Sequence, residues 1–316
     1  MRLPRVLIAL AVVVGSGAIA ACGSASPTAG SSALRIGLLY PTAGAQGMQG
    51  TQELHGAELA IQWANQHHVL GPERTIEAVV APADRAEAVP SAFDTLQRDH
   101  VQLVVGSHGS SISAVAAAEA TKRHLLFWET GAVGETDGGV HGGTNFIRMA
   151  PMGGNLGQSG IAFVNDVLTP MLQPARPLRY AVAYVDDPYG RAVAAGAEAE
   201  IEAAGLDLVG RFSYKVGDDY NAVVRRIAAA HPDALYVSAY LDDGVALRRA
   251  LVAQHVPLLA AIGTSSSFCM PAFGQTLGAD AVGLFASDKP DAAAVRPEAL
   301  RSEGRTALAW VTHEYH

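Results

Sequence analysis

The stretch VQLVVGSHGSS, residues 101–111, decides the fold that we expect for this chain. Its apolar run ends at Gly106, and a small polar loop then leads into an alanine-rich segment of helical character. We interpret it as a buried parallel strand that passes directly into the N-terminus of a helix. Such a junction leaves backbone N–H groups and serine hydroxyls without helical partners. In open α/β folds, loops at the carboxyl ends of strands are where ligands bind.

The alternation of apolar strand and helix continues on both sides of this stretch. It predicts strands at 34–40, 75–81, 101–105 and 124–128, with helices at 51–65, 90–98 and 112–123. Near 146–151 the pattern restarts and predicts further strands at 179–185, 207–214, 234–237 and 258–262. The expected fold class is therefore α/β, with two Rossmann-like lobes that contain parallel sheets and are joined by a hinge. Ligand pockets form preferentially between such lobes.

Composition narrows the classes of function. The chain has 316 residues, 49% of them hydrophobic, and a net charge of −8. That length predicts two domains at roughly 150 residues each. The acidic balance argues against nucleic acid as a partner. Of the 11 histidines, no two form a convincing ligand pair, so we expect no metal site and no cofactor.

Residues 1–22 have the pattern of an export signal. Arg2 and Arg5 precede an apolar core that is shorter than the ~20 residues needed to span a bilayer. Small residues then lead to Cys22, and the Ile-Ala-Ala-Cys sequence resembles a bacterial lipobox. This resemblance implies that Cys22 carries a lipid anchor; the alternative is an ordinary secretory signal with a chance cysteine. Residues 23–33 are small and polar, which predicts a flexible tether.

Several stretches together resemble one family, the type 1 periplasmic solute-binding proteins of the branched-chain amino acid (Leu/Ile/Val) and amide-binding group. They are IGLLYPTAG at 36–44, GAELAIQWAN at 56–65, VVGSHGSS at 104–111, NFIRMAP at 145–151, AYVDDPYG at 183–190 and YNAVVRRIAAAHPDALYVSAY at 220–240. The resemblance implies a cleft that closes on a small solute and delivers it to the membrane permease of an ABC importer.

The resemblance also implies a division of the chain. Residues 34–150 together with 288–316 would form lobe 1, and 151–287 would form lobe 2. The family's last segment, which completes lobe 1, has no counterpart in this sequence, so that either the sequence is truncated or this member is unusually short. We therefore expect lobe 1 to be incomplete at its C-terminal end, with a helix face or sheet edge left uncovered.

The same resemblance places candidate ligand contacts in lobe 1. Ser110 and Ser111 would hold a carboxylate or amide oxygen together with the helix N-terminus, although Ser110 has the alternative role of a helix N-cap. In the loop after the fourth strand, Trp128 is either pocket or core, and Glu129 would hold a ligand ammonium or is a solvated acid. The candidate contacts from that loop are Trp128, Glu129, Thr130 and Gly131.

Further candidates come from lobe 2, which would close the cleft, and from one more loop of lobe 1. Tyr189 and Tyr240 match aromatic positions that cover the ligand, and Gln49 matches a position in a lobe 1 loop. Ser265 lies in the loop 263–267, where amino acid binders place an acid for the ligand ammonium. This loop contains no acid, which weakens the case for a free amino acid unless Glu129 substitutes.

Three functions follow as hypotheses. The first is a solute-binding protein of an ABC importer, anchored through Cys22 to the outer face of the bacterial cell membrane, which takes up an amino acid, amide or related compound. The second is a sensor in which the same lobes report a ligand to a membrane receptor or kinase. The third is an exported hydrolase with Ser107 as nucleophile, but the Gly-x-Ser-x-Gly spacing is absent.

Overall fold

The computed structural model describes residues 33–135, 145–289 and 295–314. The expected signal peptide, Cys22 and all but the last residue of the expected tether lie outside these ranges. The described chain forms two parallel five-stranded sheets with helices packed on them, so the expected α/β fold with two lobes is confirmed. None of the helices in the described part of the chain has the length and apolar character needed to cross a membrane.

The first sheet has the strand order β2-β1-β3-β4-β5. Its strands are β1 (Leu34–Leu39), β2 (Ile76–Val80), β3 (Leu103–Gly106), β4 (Leu126–Glu129) and β5 (Phe146–Arg148). The helices between them are α1 (Gly47–Gln66), α2 (Val89–Arg98) and α3 (Ser110–Lys122). We refer to this sheet and its helices as the first lobe.

The second sheet has the order β10-β9-β8-β6-β7 and, with its helices, forms the second lobe. Its strands are β6 (Arg179–Val185), β7 (Asp207–Tyr214), β8 (Ala234–Ser238), β9 (Ala260–Thr264) and β10 (Leu284–Ser287). Its helices are α4 (Gly153–Phe163), α5 (Thr169–Leu172), α6 (Pro188–Ala203), α7 (Tyr220–Ala229), α8 (Leu241–Ala253) and α9 (Pro271–Leu277). A last helix, α10 (Ser302–Glu314), follows.

One lateral row of the first sheet is only partly covered. Leu38 pairs with Val80 on one side and Val105 on the other, and the row continues through Trp128 to Ile147. Leu38 at the centre is fully buried in the cluster that includes Leu54 of α1. Val80, Trp128 and Ile147 are 42%, 37% and 38% exposed. An apolar strip therefore lies open on the face that carries α1.

The second lobe depends on a close helix pair. At Gly157 of α4, a Cβ would overlap the backbone carbonyl oxygen of Val193 and the backbone nitrogen of Ala197 in α6. Only glycine lets the two helix backbones approach this closely. Beyond α4 the helix passes through a π-helical turn, Val164–Leu168, into α5.

The helix ends account for several of the histidines. A residue just past a helix often adopts the left-handed conformation, and this position is usually glycine. Here histidines adopt it, with φ between 50° and 57°. They follow α1, α2, α3, α7 and α8 and are His68, His100, His124, His231 and His255. The residues that the structure describes contain no group of three or more histidine, cysteine or acidic side chains placed to hold a metal ion.

Candidate functional site

A small cavity lies between the two sheets, at the carboxyl ends of their strands. Its lining comes from the loops after β3, β4, β6, β8 and β9. The lining residues are His108, Gly109, Ser110, Gly131, Val133, Tyr189, Tyr240, Ser265 and Ser266. The cavity volume of ≈ 10 Å³ is about the least that can hold one water. Any organic solute therefore needs the lobes to separate before it can enter.

The loop after β3, with His108, Gly109 and Ser110, forms the first-lobe wall of this cavity. Ser110 is the first residue of α3, and Gly109, not Ser110, is its N-cap. The alternative role of Ser110 as the helix N-cap is therefore wrong. Its buried hydroxyl oxygen accepts a hydrogen bond from the Gly134 backbone N–H at 2.9 Å and leaves the hydroxyl proton free to donate. Ser111 is half-buried and is not part of the lining.

The loop after β4 supplies Gly131 and Val133 to the lining, while Trp128 and Thr130 make contacts elsewhere. Trp128 lies on the partly exposed face of the sheet and is not part of the lining. The Thr130 hydroxyl pairs with the Tyr40 hydroxyl at 2.9 Å. Neither side chain is part of the cavity lining, which this loop reaches only at Gly131 and Val133.

Glu129 is the side chain whose placement differs most from the sequence-based prediction. It is fully buried and forms an ion pair with Arg148 of β5 while accepting a hydrogen bond from the Ser113 hydroxyl. Burial raises the pKa of Glu129 to about 7, and Arg148 opposes that rise. The carboxylate is therefore occupied inside the first lobe and is not free to hold a ligand ammonium. Arg148 also donates to the Gly134 carbonyl at 2.8 Å, which ties this pair to the loop around Ser110.

Two tyrosines form the second-lobe wall. The rings of Tyr189 and Tyr240 lie 5.3 Å apart between centroids. The Tyr189 hydroxyl donates to the Ala239 carbonyl at 3.3 Å, and burial raises the pKa of Tyr189 to about 12. The Tyr240 hydroxyl donates to Asp187 Oδ2 at 2.6 Å. Asp187 in turn caps α6 by accepting from the Gly190 N–H at 2.8 Å. Ser265 and Ser266 complete this wall.

Direct hydrogen bonds join the lobes around the cavity. Gln49 is buried in the first turn of α1 and donates to the Ser266 carbonyl at 3.1 Å, so it bridges the lobes but does not line the cavity. Gln46, which the sequence analysis missed, donates to the Tyr240 hydroxyl at 3.2 Å. The predicted position of Gln49 in a loop is wrong, because α1 begins at Gly47, four residues before the predicted start.

A further polar group at the cavity was not among the predicted contacts. His108 Nδ1 lies 3.0 Å from Glu53 Oε1, and Lys289 Nζ lies 3.9 Å from the same oxygen. The His108 side chain is only 10% exposed. Lys289 also donates to the Gly131 carbonyl at 3.2 Å. His108 stands inside the loop that was singled out, but no pattern in the sequence links it to Glu53 on α1 or to Lys289.

Comparisons with known proteins agree with this architecture. A family model described as periplasmic binding protein matches residues 33–299. The Leu/Ile/Val-binding protein homolog 8 of Brucella suis biovar 1 is 25% identical over 292 residues, which make up 91% of this chain and 70% of the relative.

Solved structures match as well. The branched-chain amino acid transporter substrate binding protein of Streptococcus pneumoniae, in complex with isoleucine, has a TM-score of 0.65 at 21% identity and covers 80% of this chain and 70% of its own. A solute binding protein of an ABC transporter from Rhodopseudomonas palustris BisB5, in complex with 3,4-dihydroxy benzoic acid, has a TM-score of 0.61 at 18% identity. The match covers 74% of this chain and 62% of that chain. At these identities the structural matches speak for the fold alone.

Proposed function

This chain belongs to the periplasmic binding protein family, and we propose that it is the lipid-anchored solute-binding protein of an ABC importer. Its relatives are solute-binding proteins, not enzymes, so the hydrolase alternative is excluded. One observation carries the proposal: the loops at the carboxyl ends of both sheets meet around a single cavity. The polar groups of the two walls belong to different lobes. One solute can therefore contact both sets only when the lobes come together.

The mechanism we propose is closure of the lobes on a solute. Ser110 and Gly131 would contact it from the first lobe, and Tyr189, Tyr240 and Ser265 from the second. A solute that touches both walls binds the closed form better than the open form, and only such a difference shifts the equilibrium. The bridges from Gln46 and Gln49 add closed-state contacts of their own.

The proposed anchor and partner complete the function. A lipid on Cys22, followed by the tether at 23–33, would hold the protein at the outer face of the cell membrane while the lobes remain free to meet a permease. Metabolic labelling of the full chain with a palmitate analogue tests the anchor. We expect the label on the unaltered chain and on Cys269→Ser, but not on Cys22→Ser. Label that persists in Cys22→Ser would contradict the anchor.

Binding is tested by thermal unfolding with a panel of amino acids, amides and small organic acids. At a solute concentration of 100 times Kd, we expect stabilisation of about 2.7 kcal/mol. Tyr240→Phe should weaken the response, since it removes the hydrogen bonds to Asp187 and Gln46. Tyr184→Phe is the matched control, because Tyr184 is half-buried on β6 and does not line the cavity. A panel without any stabilising solute would refute the proposal.

A further inference from the structure

We propose that Glu53 of α1 determines which solutes the cleft accepts, because it holds an N–H donor group of the solute, a primary ammonium or a primary amide. This inference rests on the proposed function and concerns the chemistry of the first-lobe wall. It depends on two buried oxygen atoms that have no hydrogen-bond partner among the described residues. Each of them contacts a glycine that lines the cavity.

The first atom is Oε2 of Glu53. The other oxygen of this carboxylate, Oε1, lies 3.0 Å from His108 Nδ1 and 3.9 Å from Lys289 Nζ. Oε2 is buried and, within the described part of the chain, no donor reaches it. A buried acceptor without a donor is unfavourable, and more so when it belongs to a charged group, so this oxygen needs a donor from outside the chain.

Gly131 keeps this oxygen close to the cavity. A Cβ at position 131 would overlap both carboxylate oxygens of Glu53, so the carboxylate contacts the α-carbon of a residue that lines the cavity. His108, which also contacts the carboxylate, is a second lining residue. Any other residue at position 131 would push the carboxylate out of its place. Glycine therefore leaves Glu53 within reach of a solute that is seated against this loop.

The second atom is Oε1 of Gln46, and the hydrogen bonds around this side chain fix its direction. The Tyr240 hydroxyl donates its proton to Asp187 Oδ2 at 2.6 Å, so it can only accept from Gln46. The NH2 group of Gln46 therefore faces Tyr240, at 3.2 Å. Its oxygen faces the other way, where it is buried and would overlap a Cβ at Gly109. Gly109 also lines the cavity.

Glu53 is also the acid that remains free for a solute. None of the nine described residues that line the cavity is acidic, and the loop 263–267 contains no acid. Glu129 is paired with Arg148, and both oxygens of Asp187 already accept hydrogen bonds within the second lobe or from its tyrosine wall. A donor group of the solute therefore meets its charged partner in the first lobe.

The two acceptors select the chemistry of the solute. An ammonium or a primary amide nitrogen carries donors only, and its hydrogen bond to a carboxylate is charge-assisted, about twice as strong as a neutral one. A carboxylate at the same place brings only acceptors and is repelled by the charge of Glu53. Lys289 offsets part of that charge, with a side chain that is 28% exposed, so a neutral amide suits the site as well as an ammonium does.

Calorimetric titration of the purified full-length protein with matched pairs of solutes tests the requirement for a donor. Leucine and 4-methylpentanoate differ by the ammonium group, and benzamide and benzoate differ by the amide nitrogen. In a pair that binds, we expect the solute with N–H donors to bind at least about tenfold more tightly. The pair that shows this preference distinguishes an ammonium from an amide. If neither pair binds, each stabilising solute of the wider panel is compared with its analogue that lacks the N–H group.

Glu53→Gln assigns the preference to this residue. Because Lys289 carries donors only, the glutamine oxygen stays on the side of Lys289 and His108, and the NH2 group takes the place of Oε2. The variant thus presents donors where an acceptor stood. We expect N–H solutes to bind about tenfold or more weakly, while the affinity of their carboxylate partners is kept or rises. Gln46→Met removes the second acceptor without a change in charge and should weaken N–H solutes more than their partners.

Glu58→Gln is the matched control, since it removes the same charge from the exposed side of α1 and should leave the preference unchanged. Thermal unfolding of each variant without solute shows that it is folded. A variant that is merely destabilised weakens both members of a pair alike. The ratio of the two affinities therefore reports the role of Glu53.

The outcomes separate this inference from the proposed function. Equal affinity within every pair that binds, or tighter binding of the carboxylates, overturns the requirement for a donor while solute binding stands. An unchanged ratio in Glu53→Gln overturns the role of Glu53. Absence of binding with all four solutes and with the wider panel overturns both.

Discussion

Replacement of Glu129 by glutamine tests how the first lobe tolerates a buried carboxyl group beside Arg148. Glutamine has the same shape and can pair with Ser113 and Arg148, but it does not titrate. The two proteins therefore differ mainly in whether residue 129 can lose a proton. The difference between the free energies of unfolding of the two proteins therefore reports the ionisation of Glu129, since they share all other titratable groups.

The magnitude follows from the pKa of Glu129, which burial raises from 4.5 to about 7. Because the folded-state pKa lies above the unfolded one, the stability from this group is complete below about pH 4.5 and is lost as the pH rises to about 7. The difference of about 2.5 pH units corresponds to about 3 kcal/mol. Relative to Glu129→Gln, the unaltered protein should lose about that much stability across this range and little beyond it.

The assay is urea unfolding of both proteins at about pH 4.5 and about pH 8, with solute absent. The result that would refute the reasoning is the opposite sign. If the attraction of Arg148 outweighs burial, the unaltered protein gains stability relative to Glu129→Gln as the pH rises. Ser113→Ala serves as a control, because it removes a hydrogen bond to the same carboxylate without changing the number of titratable groups.

Three further changes test the fold. His231→Gly should raise the free energy of unfolding by about 0.5 kcal/mol, since glycine adopts the left-handed conformation without a steric penalty; a lower urea midpoint would contradict this. Gly157→Ala should lower it by about 2 kcal/mol or more, because the Cβ would overlap the backbone of α6; an unchanged midpoint would show that the helices can move apart. The double change of Trp128 and Ile147 to lysine should reduce self-association in light scattering, because it interrupts the exposed apolar strip; unchanged association would mean that the strip does not contact other molecules.

The regular part of the fold follows directly from the sequence. The strands β6 and β7 occupy the predicted residues, because each is an apolar run bounded by turn residues. β10 and α9 were not predicted, since they span only four and seven residues and neither shows a clear period. The start of α1 was also missed. Gly47 and Gly50 are poor helix formers, but a Cβ at Gly50 would overlap the Pro41 carbonyl, so tertiary contact overrides propensity.

The loops of the candidate site could be predicted, but the directions of the side chains could not. Placing the loops needs only the rule that the carboxyl ends of parallel strands share one edge of a sheet. Trp128 and Glu129 are neighbours on a short strand, and nothing in its apolar run shows which face each occupies. The partner of Glu129 is Arg148, 19 positions away, and the partner of His108 is Glu53, 55 positions away. Such pairs are set by the packing of the whole lobe.

The histidines at the helix ends have a consequence for engineering the protein. Each of them lies between a helix and the following strand, which in a parallel sheet is the pole opposite the cleft. All five are exposed and none lines the cavity. They can therefore be replaced one at a time to change the stability of a lobe without changing the residues that line the cleft.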